Sequence, residues 1–466
     1  MEKPNIHLFE VHGKFYFYDV NKNAIVEISK EAFDFLSSDE SIQRGVGDEI
    51  FILKKEGLLS HIRPSCIEHP STPHLEEILQ SAVNRVCLQI TQECNLRCKY
   101  CVYSGLYNNR THSKSEMSID IAKRAIDFLI DNSGNNEAID IGFYGGEPLL
   151  RFPFIEKCID YAKKEGEGKR LTFSITTNGT LITEKMIERF IESNVELTIS
   201  IDGPETIHNR NRIMRNGEGS FKLLISKLDM INRRYPEYAK NISYNIVIDQ
   251  REDDLDEIEK FISKSEIINN SFITATTIST EGTKEDIISC NAFRTKNRYG
   301  EFRYMLSLIN RLSRDEPGLQ LWQGAFKKLE QFAIDSTKNT RSLGKKEHHG
   351  GPCIPGQLRL LVNTNGDFLP CERVNEENEA MIIGNIEEGF DYKKISELLN
   401  IGKLTEEECK DCFAIRHCTI CAASTDCNGK LSKDMKLRAC EESRYNFSEM
   451  LKDLCVLYEA GYSPEK

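Results

Sequence analysis

The sequence predicts an α/β chain built round an open, partial barrel of six β-α units, with a small α+β unit before it and a cysteine-rich unit after it. Three observations carry that reading. Residues 83–280 alternate strand-like and helix-like stretches. The stretch from Ile6 to Ser29 alternates with the period of two that strands need. Eight of the 16 cysteines fall between Cys353 and Cys440. Repeated β-α units lay strands side by side in parallel and gather loops at their C-terminal ends, where function collects. A closed barrel of this kind has eight strands. Six units leave a side mouth for a large substrate.

The elements follow in order. "IHLFEVHGKFYFYDVNKNAIVEIS" reads as two or three short strands, with turns at His12-Gly13 and Asn21-Lys22-Asn23. "SKEAFDFLSS" reads as a helix capped by Ser29, and "DEIFILKKEGLL" as a helix or wing ending near Gly57. "RPSCIEHPSTPH" carries three prolines and reads as a linker. Then come the strands "NRVCLQITQ", "AIDIGFYGGEP", "LTFSITTNGT", "VELTISIDG", "ISYNIVID" and "NSFITATTIS". The helices "IDIAKRAIDFLIDN", "FPFIEKCIDYAKKEG", "TEKMIERFIESN", "FKLLISKLDMINRRY" and "LDEIEKFISKSE" separate them. "FRYMLSLINRLSRD" and "LWQGAFKKLEQFAIDS" are helical. The expected organisation is 1–65, a linker 66–82, the barrel 83–280, a bridging helical region 281–345 and the cysteine-rich unit 346–466.

At 466 residues the chain is too long for one ordinary core, so two or three domains are expected. No apolar run reaches the roughly 18–20 residues that cross a membrane. The opening residues show no basic-then-apolar signal, so a cytoplasmic location without membrane partners is expected. A formal charge of −12 argues against a nucleic-acid groove as the main surface.

Clustered thiols in such a setting bind metal more readily than they form disulfides. Cys94, Cys98 and Cys101 lie in "CNLRCKYC", directly after the first barrel strand. Three ligands are one short of the four that close a structural zinc site. A three-cysteine iron–sulfur cube keeps one iron free. Cys66, Cys87, Cys158, Cys290 and Cys455 are scattered and read as buried small hydrophobes or ordinary thiols.

Cys94-x3-Cys98-x2-Cys101, with the aromatic Tyr100, resembles the signature of radical S-adenosylmethionine (SAM) enzymes. The resemblance implies a partial TIM-like (β/α)6 barrel and a 4Fe-4S cluster on the three cysteines. It implies that SAM binds the remaining iron through its amine and carboxylate. One electron then cleaves SAM and releases a 5′-deoxyadenosyl radical, so the radical arises at this cluster, and no catalytic side chain is assigned. Gly145, Gly146 and Glu147 in "GGEP" resemble the family motif that holds the SAM amine. Asn178 in "TTNGT" ends the third strand. Ser200 and Asp202 in "SIDG" resemble groups that contact the SAM ribose or carboxylate, and Arg212 reads as a carboxylate partner. A zinc-binding α/β domain with chance turns is the alternative.

The spacing Cys353, Cys371, Cys409, Cys412, Cys418, Cys421, Cys427 and Cys440 resembles the SPASM extension of peptide-modifying radical SAM enzymes. That resemblance implies two auxiliary 4Fe-4S clusters, hence three in all. Cys409, Cys412, Cys418 and Cys440 would hold the outer one, and Cys353, Cys371 and Cys421 the inner one. The family pattern has three residues after the fifth cysteine, and this chain has two after Cys418. Cys427 is therefore a rival to Cys421 or a fourth ligand. Sulfatase-type members carry a further cysteine where this chain has Arg359, which implies an open inner iron for a substrate thiolate. Paired C-x2-C spacings suit zinc as well.

The N-terminal unit resembles a RiPP recognition element, a small winged-helix-like domain that binds a precursor's leader peptide by strand addition. A purely structural module is the alternative. Together the resemblances imply a maturase that installs thioether links in a ribosomally made precursor peptide, of sactipeptide or ranthipeptide type. An electron donor such as flavodoxin or ferredoxin would serve it. An anaerobic sulfatase-type formylglycine maturase, carbon–carbon cross-linking and epimerisation are alternatives on the same scaffold. An idle peptide-binding or electron-carrying protein is the alternative of another class. Glu372, His348, His349 and His417 are acid–base candidates by location alone.

Overall fold

The computed structural model describes residues 3–38, 46–107, 110–269, 271–280, 282–338, 341–350, 353–427 and 429–464. The N-terminal unit is an antiparallel sheet of β1 (Ile6–Val11), β2 (Lys14–Asp19) and β3 (Ala24–Ile28). His12 and Gly13 join β1 to β2 with φ of 49° and 80°, the pair of positive values that a tight type I′ hairpin requires. Ser29 caps the helix Lys30–Ser37 by accepting from the Ala32 N–H. A second helix covers Val46–Lys55.

The period of two in β2 splits its aromatics between two cores. Phe15 and Phe17 pack with Ile28, Ala32, Ile50 and Leu53 inside the unit. Tyr16 and Tyr18 face the other way, into the main core. There the sheet meets the long C-terminal helix Lys433–Glu459. The ring of His7 stacks on Phe413 at 3.8 Å, and Tyr18 meets Phe447 edge-on at 5.3 Å. The N-terminal unit therefore sits on the cysteine-rich unit.

Six parallel strands form the barrel in chain order: β4 (Arg85–Thr91), β5 (Ala138–Gly145), β6 (Arg170–Thr177), β7 (Val195–Ser200), β8 (Ser243–Ile248) and β9 (Ile273–Thr277). Helices such as Ile119–Asp131 and Phe152–Glu165 cover the outside. β4 is buried along nearly its whole length, whereas β6, β7 and β8 alternate buried with more exposed residues and β9 is buried at Ile273 alone.

The sheet extends beyond the six expected strands. β10 (Leu360–Val362) pairs in parallel with β4, and β11 (Asp367–Leu369), β12 (Gly384–Asn385) and β13 (Gly389–Phe390) follow as an antiparallel meander. The C-terminal unit thus covers the edge that β4 would otherwise expose, and Leu360, Leu361 and Val362 are fully buried. Residues 66–82, read as a linker, are also packed. Cys66–Ile67 pairs with Lys346–Glu347, and the helix Leu75–Ser81 buries Leu75 and Leu79. In residues 281–345, helices Asn291–Leu308 and Gln320–Lys338 pack so closely that a Cβ on Gly300 would lie 2.1 Å from the Trp322 ring. Among the described residues no helix is long and apolar enough to cross a membrane.

Candidate active site

The three clustered cysteines leave the end of β4 in a loop clamped from two sides. On one side Gly146 N–H donates to Thr91 O (2.8 Å) and Glu147 N–H to Glu93 O (2.9 Å). On the other, Arg97 N–H donates to Ile213 O (2.7 Å) and Lys99 N–H to Asn211 O (3.1 Å). The Arg97 guanidinium donates to Cys94 O and Leu96 O, at 2.5 and 2.7 Å. Cys94 and Cys98 are buried and Cys101 is half-buried, packed with Leu96, Tyr100 and Met214. Burial pushes the Cys94 and Cys98 thiols up to about 12, and each also feels its neighbouring thiols. Cys101 is likewise raised by burial. The three sulfurs belong to one packed cluster on the loop. The donor set therefore fits an iron–sulfur group.

The glycines of "GGEP" are fixed by this clamp. Gly145 has φ +132°, and a Cβ there would lie 2.0 Å from Thr91 O. A Cβ on Gly146 would lie 2.1 Å from Glu93 O. Glu147 is 1% exposed, and its carboxylate ties the next loop in place. It accepts from Thr177 Oγ1 (2.6 Å), Leu149 N–H (3.0 Å) and Asn178 N–H (2.8 Å). Asn178 Nδ2 then donates to Asn95 Oδ1 (2.9 Å) and lies 3.9 Å from Cys94 Sγ. "GGE" and "TTNGT" thus brace the cysteine loop.

Ser200 ends β7 and is buried. Two residues on, Asp202 gathers the opposite wall. Tyr100 Oη donates to its Oδ2 (2.5 Å), Arg212 Nε lies 3.0 Å from its Oδ1, and Val247 N–H donates at 3.2 Å. The Arg212 guanidinium lies 5.4 Å from the centre of the Tyr100 ring. Its charge also works to lower the Cys98 thiol against burial. Glu147 and Asn178 thus contact the cysteine loop on one side, and Tyr100, Asp202 and Arg212 are joined on the other.

Cys409, Cys412, Cys418 and Cys440 line one cavity with His349, Lys436 and Arg444. Cys371 forms a second group: burial raises its thiol to about 11, with Glu372, Cys421 and Cys353 adding to the rise. Cys427 is exposed on the hairpin Asp426–Cys427 and Lys430–Leu431. Among the described residues no three His, Cys, Asp or Glu side chains close on a point suited to a single metal ion. Arg359 forms an ion pair with Glu372. Glu372 Oε2 is buried without a hydrogen-bond partner.

The other candidates fall into place by their contacts. His348 Nε2 accepts from the Gly402 N–H (3.1 Å), which leaves Nδ1–H to donate to His349 O (3.0 Å). Burial drives His348 down to about 4 and His349 to about 2, so both are neutral. His417 lies elsewhere: it bonds Asn23 Oδ1 (2.7 Å) and stacks on Phe447, in the seam with the N-terminal unit.

A polar network between the two groups of cysteines was missed in the sequence. Gln89, fully buried, donates to Glu376 Oε2 (2.6 Å) and bonds Tyr103 Oη (3.0 Å). Arg110 donates to Glu372 O (2.9 Å) and Val374 O (2.8 Å) and faces the Tyr103 ring at 5.4 Å. Burial raises the Tyr144 phenol, and both Cys101 and Glu372 add to that rise. Gln89 carried a signal, a polar residue inside the apolar run "VCLQIT". Arg110 and Glu376 carried none.

Six parallel β-α strands carry two buried cysteines and one half-buried cysteine just beyond β4, and residues 88–264 match the Radical SAM superfamily. That stretch runs from β4 to the helix Leu255–Lys264 and covers 177 of the 466 residues. The chain is similar to maturases within that superfamily. A cysteine-type anaerobic sulfatase-maturating enzyme of Clostridium novyi is 32% identical over 186 residues, 39% of this chain and 48% of that protein. The radical SAM cyclopropyl synthase TigE of Paramaledivibacter caminithermalis is 30% identical over 177 residues, 36% of this chain and 35% of that protein. The matches thus span half or less of these curated relatives. The solved structure of native anSMEcpe with bound AdoMet shares the fold, with a TM-score of 0.57 and 21% identity over 79% of this chain and 98% of that one.

Proposed function

We propose that the chain is a radical SAM peptide maturase that ties cysteine sulfur to carbon in a ribosomally made precursor. The observation that supports this reading is the polar network of Gln89, Tyr103, Arg110, Glu372 and Glu376, which ties the strand leading into the first cysteine loop to the residues that follow Cys371. When bound, the cluster on Cys94, Cys98 and Cys101 and its SAM supply one electron and a 5′-deoxyadenosyl radical.

The chain's own residues do the rest. Glu147 and Asn178 hold the cysteine loop, and Tyr100, Ser200, Asp202 and Arg212 orient SAM. Gly145 and Gly146 let the backbones approach. Arg110 and Glu376 offer polar partners to a peptide backbone in an otherwise apolar barrel. The Glu372 carboxylate, with Oε2 unpartnered, takes the proton from the substrate thiol. Per link, carbon gives one hydrogen atom to the 5′-deoxyadenosyl radical, sulfur gives one proton to Glu372, and the new bond releases one electron, for which the auxiliary cluster that Cys353, Cys371 and Cys421 would hold would be the acceptor, so the peptide loses two hydrogens. Cys353, Cys371 and Cys421 would hold an inner auxiliary cluster and Cys409, Cys412, Cys418 and Cys440 an outer one. The leader would dock on residues 1–65 by adding a strand to the sheet, whose β3 edge has no neighbouring strand among the described residues. A low-potential flavodoxin or ferredoxin would deliver electrons.

The sulfatase-type reading is favoured by the Clostridium novyi relative. Against it stands Arg359, a cation paired with Glu372 where sulfatase-type members carry a cysteine. Tandem mass spectrometry of a cysteine-containing precursor after anaerobic reaction separates the two. Loss of two hydrogens per cysteine, with the thiols no longer alkylated under reducing conditions, is the expected result. Conversion of cysteine to formylglycine, with loss of sulfur, would overturn it in favour of the sulfatase type.

A further inference from the structure

The cavity ringed by Cys409, Cys412, Cys418 and Cys440 holds Lys436, whose charge is felt by the Glu408 carboxylate, which is paired with Lys433 instead. Lys436 is 0% exposed. Its Nζ has two partners, Thr405 Oγ1 at 2.5 Å and Cys409 Sγ at 3.5 Å. Among the described residues no carboxylate pairs with it. Glu408, on the same cavity, is held by Lys433 at 2.8 Å. His349 is 2% exposed, lines the same cavity, and has no partner on either ring nitrogen.

These placements follow from helix periodicity. Lys436 and Cys440 are four residues apart on the helix Lys433–Glu459, so they share a face. An ammonium buried with only a hydroxyl and a thiol is strongly unfavourable. A negative group in the cavity removes that penalty. A neutral imidazole with both nitrogens unpartnered likewise wants an acceptor.

We infer that Lys436 and His349 are positioning residues for the anionic iron–sulfur group held by these four cysteines. Lys436 is its counter-charge, and His349 donates a hydrogen bond to it. This rests on the auxiliary-cluster reading above. One electron from a low-potential flavin or iron–sulfur donor adds a negative charge to the group, and no bond forms or breaks. The buried ammonium favours that reduced state, so it raises the reduction potential.

The test uses the full chain with Cys94, Cys98 and Cys101 replaced by alanine, so that only the auxiliary groups remain. Iron content and an EPR-monitored redox titration are compared for Lys436→Met, Lys436→Arg and His349→Phe. Lys436→Met is expected to keep its iron and to reduce about tenfold less readily at a given potential, a downward shift of about 59 mV for one electron. Lys436→Arg, which keeps the charge, is expected to stay near the parent, and His349→Phe to shift in the same direction by less. If Lys436→Met loses its iron while Lys436→Arg keeps it, the counter-charge role also stands. Full iron with unchanged potentials in Lys436→Met would overturn the inference, as would equal loss of iron in the Met and Arg variants. The underlying cluster reading fails separately, if Cys409→Ala with Cys440→Ala leaves the iron content of this background unchanged.

Discussion

Cys98→Ala is expected to abolish reductive cleavage of SAM and to remove the iron of the first centre. Cys98 is 9% exposed and lies beside Cys101, Arg212 and Asp202. Residues that merely support a metal ligand commonly cost 10–100-fold, so loss of a ligand itself should exceed about 100-fold. The fold should survive. The loop is held by backbone bonds from Arg97 and Lys99, and neither uses the Cys98 side chain. Circular dichroism should match the parent while 5′-deoxyadenosine falls below detection. Cys158→Ala provides the control. Cys158 is a fully buried thiol on the helix Phe152–Glu165, and its loss should cost stability but leave the first centre loaded. A Cys98→Ala chain that still cleaves SAM at the parent rate would refute the assignment.

Gly145→Ala is expected to be the most damaging single methyl group in the barrel. Two costs add. At φ +132° an alanine is strained, by roughly 1–3 kcal/mol. Its Cβ would also lie 2.0 Å from Thr91 O and 3.1 Å from Thr91 C, which are backbone atoms and cannot rotate away. Overpacking of this kind adds about 1–3 kcal/mol. The displaced atom begins the cysteine loop, so iron loading should fall along with the melting temperature. Gly217→Ala isolates the second cost, because Gly217 also has positive φ (+88°) but nothing within 4 Å of a Cβ. It should be the milder substitution. Equal melting temperatures for the two variants would show that the contact with Thr91 carries no weight.

Much of this site was legible because its residues follow strands. Each motif sits a fixed step beyond the end of one strand, and parallel β-α units bring strand ends together whatever the sequence between them. That is why "GGEP" and "TTNGT" on one side and "SIDG" on the other, far apart in the chain, all reach "CNLRCKYC". The grouping of Cys409, Cys412, Cys418 and Cys440 came from the family resemblance and not from spacing, since Cys440 lies on the helix Lys433–Glu459, well beyond the other three.

What stayed hidden depends on long-range pairing. "RLLV" around Leu361 reads as any short apolar run, and nothing local announces that it joins β4. The docking of the N-terminal sheet was written in Tyr16 and Tyr18, but their partner Phe447 lies hundreds of residues away. His417 looked like a site residue because it neighbours Cys418. Its ring turns instead into that seam. Lys436 sits in a charged stretch, "SKDMKLR", where burial of one lysine out of two has no sequence signal.

The central claim is that a radical made at Cys94, Cys98 and Cys101 takes hydrogen from a peptide carbon. The most direct test is an anaerobic reaction of the loaded chain with a precursor peptide deuterated at its carbon positions, followed by mass analysis of the 5′-deoxyadenosine. The account predicts deuterium in 5′-deoxyadenosine, rising with the fraction of peptide that has lost two hydrogens per cysteine. A modified peptide accompanied by 5′-deoxyadenosine free of deuterium would contradict it.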